Sequence, residues 1–81
     1  MDMRGPVELL KHREWEARLG VLGNSNDPGA WRRFIEAVEQ ATRAQILAVT
    51  EGRARAGFVK EWVDMTVRHQ VNLLTSENRK N

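Results

Sequence analysis

From Trp31 to Leu73 a set of residues recurs at alternating spacings of four and three: Trp31, Ile35, Val38, Thr42, Gln45, Val49, Gly52, Ala56, Val59, Val63, Thr66, Gln70 and Leu73. This rhythm constrains the fold more than any other feature of the 81-residue chain. It is the heptad spacing of helices that pack lengthwise, and a strand, whose side chains repeat every second residue, cannot satisfy it. No β-type alternation occurs elsewhere, and the chain is rich in Ala, Glu, Arg, Leu and Gln. These are strong helix formers, so the expected class is all-α.

The start signals agree. Pro6 and Pro28 each suit the first turn of a helix, where the missing N–H costs nothing, and Asp27 stands where an N-cap carboxylate would accept a backbone N–H. The segment GNSND, 23–27, is the one clear loop. The spacing therefore predicts a first helix over about 6–22 and a second from 28 to about 74. The polar tail TSENRKN, 75–81, is expected to fray.

The segment VTEGRARAGF, 49–58, decides the architecture. The stripe crosses Gly52 without a phase slip, and a turn would usually break the phase. Glu51, Arg53, Ala54, Arg55 and Ala56 all tolerate a helix, while Gly52 and Gly57 each cost up to about 1 kcal/mol relative to alanine. The favoured reading is one long helix and hence a helical hairpin. The rival is a three-helix bundle with TEG as hinge, Gly52 as cap and a third helix from near Arg53. In the hairpin, a first helix of about 25 Å covers only the opening third of a second of about 70 Å.

The packing stripe is then Trp31, Ile35, Val38, Val49, Gly52, Ala56, Val59 and Val63. A second apolar line, Leu47, Ala54, Phe58, Trp62, Met65 and His69, lies well away from it on the wheel. A helix apolar on two sides is usually sandwiched between neighbours. Phe58, Trp62, Met65 and Leu47 are therefore the candidate partner interface, with Trp62 as its anchor, because tryptophan is favoured at interface hot spots. Trp15 aligns with Leu19 and Leu22 on the first helix, and Trp31, opening the second helix near the loop, is placed to staple the hairpin.

Other chemistry finds little support in the sequence. There is no cysteine, hence no disulfide and no thiolate ligand. His12 and His69 are far apart, and His12 with Glu16 is too small a set for zinc. There is no Gly-rich phosphate loop and no nucleophile elbow, so no enzyme activity, metal or cofactor is expected. The opening MDMRGPVELLKHREWE lacks the apolar core of a secretory signal, and no run approaches the roughly 18 apolar residues of a membrane span. Net charge is +2 with 30% charged residues. The basic pairs at 32–33, 53–55 and 79–80 do not gather on one face, which argues against a nucleic-acid footprint. Arg32 with Glu36, Glu39 with Arg43, and Asp64 with Arg68 stand four apart, as weak ion pairs on a solvated face would.

Leu9, Leu10, His12 and Trp15, followed by Glu51, Gly52 and Ala54, resemble the pattern of small helical proteins encoded by tailed bacteriophages. The short loop and Gly57 depart from that pattern. The resemblance implies a helical hairpin that packs in multiple copies, a virion or morphogenesis component, and carries over no catalytic residue. The expected function is structural or assembly work through helix–helix contacts, as a homo-oligomer or part of a larger assembly, in the cytoplasm or a virion. A small regulatory or nucleic-acid-binding helical module is the alternative.

Overall fold

The computed structural model describes the backbone of residues 6–80 and the side chains of residues 9–77. The described residues form three helices: α1 (Pro6–Gly23), α2 (Pro28–Val49) and α3 (Ala56–Lys80). No strand occurs among the described residues, so the all-α class holds. The hairpin with one long second helix does not. The chain reverses over residues 50–55, as the three-helix alternative requires.

Each boundary has a local cause. Asp27 is extended and its side chain accepts from the Gly29 amide at 2.9 Å, which caps α2 with Pro28 in its first turn. The far end of α2 closes with the Thr50 hydroxyl donating to the Ile46 carbonyl at 2.7 Å. The Glu51 amide then bonds the Ala48 carbonyl and the Gly52 amide the Leu47 carbonyl, the paired bonds of a Schellman cap. Both Glu51 (φ 55) and Gly52 (φ 75) are left-handed. A straight helix through this segment would avoid that strain, which costs about 1–2 kcal/mol at a residue with a Cβ. Breaking the helix instead folds Val59, Val63 and Leu74 back into buried sites. Each such side chain contributes about 1.5–3 kcal/mol, so burial outweighs the strain.

Helix α2 is the central element. Its buried positions are Ala30, Phe34, Val38, Ala41, Thr42 and Ile46, and α1 and α3 both lie against it. One core cluster joins Val21 of α1, Ala30, Phe34 and Val38 of α2, and Leu74 of α3. A second joins Ile46 of α2 to Val59 and Val63 of α3. Helices α1 and α3 touch little beyond the first cluster. The molecule is accordingly flat, 41 × 36 × 20 Å, and its radius of gyration of 13.6 Å exceeds the roughly 11.7 Å of a compact chain this long.

Three further expectations are corrected. Val49, Gly52 and Ala56 of the packing stripe are exposed, because the reversal takes the chain out of helical register there. Leu73 was expected on the stripe, yet it is 46% exposed while Leu74 is 1% exposed. An ideal helix drifts about 20° per heptad from a 3.5-residue repeat, so over α3 the buried line passes from the Leu73 side to the Leu74 side. The tail expected to fray from residue 75 is helical as far as Lys80. Buried Leu74 anchors this stretch, and Glu77 accepts a hydrogen bond from the Arg18 guanidinium of α1. Asn81, the opening residues 1–5 and the side chains of Arg79 and Lys80 lie outside the described residues.

Candidate protein-docking surface

Four-residue and three-residue steps place Phe58, Trp62 and Met65 on one side of α3. That side lies about 100° or more around the helix from the line Val59, Val63 and Leu74 that faces α2. The structure keeps all three in solvent: Trp62 is 50% and Met65 62% exposed, and Phe58 is similar. The Phe58 and Trp62 rings support one another, with centroids 5.7 Å apart at 43°. His69 and Leu73 are also exposed and extend the stripe toward the end of the helix.

The reversal at 50–55 brings the end of α2 beside the start of α3. Between them runs a groove of about 220 Å³ whose walls include Thr42, Ile46, Val49, Phe58 and Trp62. Leu47 is half-exposed on α2, and Val49 is 77% exposed. The sequence could group Phe58, Trp62 and Met65, since helical spacing is local. It could not reveal the groove, whose two walls are joined only by tertiary folding. The remaining stripe positions divide. Val38, Val59 and Val63 are buried, while Trp31 and Ile35 are partly buried. Trp31 donates from Nε1 to the Ser25 carbonyl at 2.9 Å and meets Phe34 edge-on at 6.4 Å, so it fastens the α1–α2 loop to the core.

Charges are dispersed around this frame. Arg33 lies 3.6 Å from Asp27, Arg53 3.9 Å from Glu51, and His12 2.9 Å from Glu16. Among the described residues, the pairs expected between Arg32 and Glu36, Glu39 and Arg43, and Asp64 and Arg68 do not come within ion-pair distance. The shallow cleft between α1 and α2 sets Arg13 and Arg33 among Glu16 and Glu36, mixing both signs. Glu14 is partly buried beside Lys11, Trp15 and Arg18. Burial raises its pKa above the ordinary carboxylate value, against the pull of Lys11 and Arg18. Among the described residues no group of three or more His, Asp or Glu could hold a metal ion, and no helix is long and apolar enough to cross a membrane.

Compared with known proteins, the chain matches no protein-family model, and no curated protein or solved structure is significantly similar to it.

Proposed function

We propose that this chain is a non-enzymatic structural or assembly protein whose α3 face docks against another protein helix. One observation carries the reading: Phe58, Trp62 and Met65 form a continuous apolar stripe that the chain's own helices leave in solvent. Large aromatic side chains ordered on a rigid helix are typical anchors of protein interfaces, and monomers seldom retain such a patch without use. A virion or morphogenesis role is the form of assembly that the resemblance to small phage proteins implies. Nucleic-acid binding draws less support, because Arg18, Arg33 and Arg53 each stand beside a carboxylate and the basic residues are spread over all three helices.

The test is tryptophan quenching by acrylamide in dilute wild type and in Trp62→Phe. The difference isolates Trp62, which should be readily quenched. A Trp62 shielded in a proven monomer would sink the reading, since the chain would then cover its own docking face. Duplex DNA binding that weakens steeply with salt and is lost on replacing Arg53 and Arg55 by glutamine would favour the nucleic-acid module instead.

A further inference from the structure

The exposed stripe of α3 has an order of its own. Phe58 and Leu73 stand near its two ends, Trp62 and His69 lie inside them, and Met65 is at the centre. Such a stripe matches itself when reversed. Two copies of α3 laid antiparallel about a two-fold axis at Met65 set Met65 on the partner's Met65, Trp62 beside the partner's His69, and Phe58 beside the partner's Leu73.

The charges at the edge follow the same symmetry. Glu61 and Arg68 are two turns apart and occupy the same flank of the stripe. In an antiparallel pair each flank faces its own copy, so Glu61 meets the partner's Arg68 and Arg68 the partner's Glu61. A parallel pair would turn this flank toward the opposite one, where Thr66 lies, and would close neither ion pair. Glu61 and Arg68 are both exposed, and among the described residues neither joins an ion pair within the chain. Leu73 lies on the flank that carries the α2–α3 groove. Reversal therefore brings the partner's Leu73 to the Phe58 end of that groove.

We propose that the occupant of the α3 face is a second copy of this chain, packed antiparallel through Phe58, Trp62, Met65 and Leu73 and held in register by two Glu61–Arg68 pairs. The proposal rests on the reading that this face docks a helix, and it names the partner.

Light scattering and sedimentation over a concentration series test the state directly, and the expected mass is that of a dimer. Glu61→Arg sets like charges together at both symmetric positions and should weaken the dimer by about tenfold or more. Adding Arg68→Glu to it should restore the dimer, a rescue that a change in folding alone would not produce. Direction is read by oxidation, since the chain has no cysteine of its own. Met65→Cys should form a covalent dimer. Asn72→Cys should not, because the two positions lie about 20 Å apart in an antiparallel pair. A monomer at all concentrations overturns the dimer; if its Trp62 is open to quencher, docking of a different protein survives, and if Trp62 is shielded, both fall. Equal cross-linking of the two cysteine variants, or a dimer indifferent to Glu61→Arg, also overturns the proposal.

Discussion

The Gly52 amide donates to the Leu47 carbonyl at 2.8 Å, and this bond closes the end of α2. It forms because Glu51 turns left-handed, and Gly52 after it is left-handed too. Glycine adopts that conformation freely, whereas glutamate does not. Glu51→Gly should therefore stabilise the chain by about 1 kcal/mol. Gly52→Ala should cost about 1 kcal/mol or more, although an added Cβ would meet nothing within 4 Å. Urea denaturation midpoints measure both. A neutral Gly52→Ala would mean that the turn relaxes without strain.

Leu73 and Leu74 are neighbours with opposite environments. Leu74→Ala empties a site shared with Val21, Phe34 and Val38 and should cost about 2–5 kcal/mol. Leu73→Ala, measured in chain dilute enough to be monomeric, should change stability by less than about 0.5 kcal/mol. Equal losses would place the buried line of α3 on the wrong side.

Glu14 gives a pH signature. Burial raises its pKa above the ordinary value of 4.5, so the folded state holds the proton more tightly than the unfolded state. Its favourable contribution is full below that value and is lost as pH rises through the raised pKa. Glu14→Gln should therefore gain stability relative to wild type between pH 3 and pH 7, the difference growing as the carboxyl ionises. Thermal melts across that range would show it. A pH-independent difference would mean that solvent, Lys11 and Arg18 fully compensate the charge.

Trp31 is held by its indole N–H as well as by its ring. Trp31→Phe keeps an aromatic against Phe34 but leaves the Ser25 carbonyl without its donor. A loss of about 1 kcal/mol is expected. Trp15→Phe is the control, because Trp15 is largely exposed and should matter little. If the two variants melt together, Trp31 does not fasten the loop.

Sequence alone determined what depends on near neighbours along the chain. The helical class, a loop ending at Asp27 and the Asp27–Pro28 start follow from propensity and capping, which act within one turn. The grouping of Phe58, Trp62 and Met65 follows from spacing, which a helix imposes locally. Tertiary structure decided the rest. An intact stripe through Gly52 is compatible with a straight helix, and the local cost of Glu51 in a left-handed turn favours one. The chain reverses because doing so buries Val59, Val63 and Leu74 against α1 and α2, a gain that no local window contains. The same reversal puts Val49 in solvent, selects Leu74 over Leu73 and opens the groove beside Phe58, because each depends on where α3 lies against α2 rather than on the residues beside it.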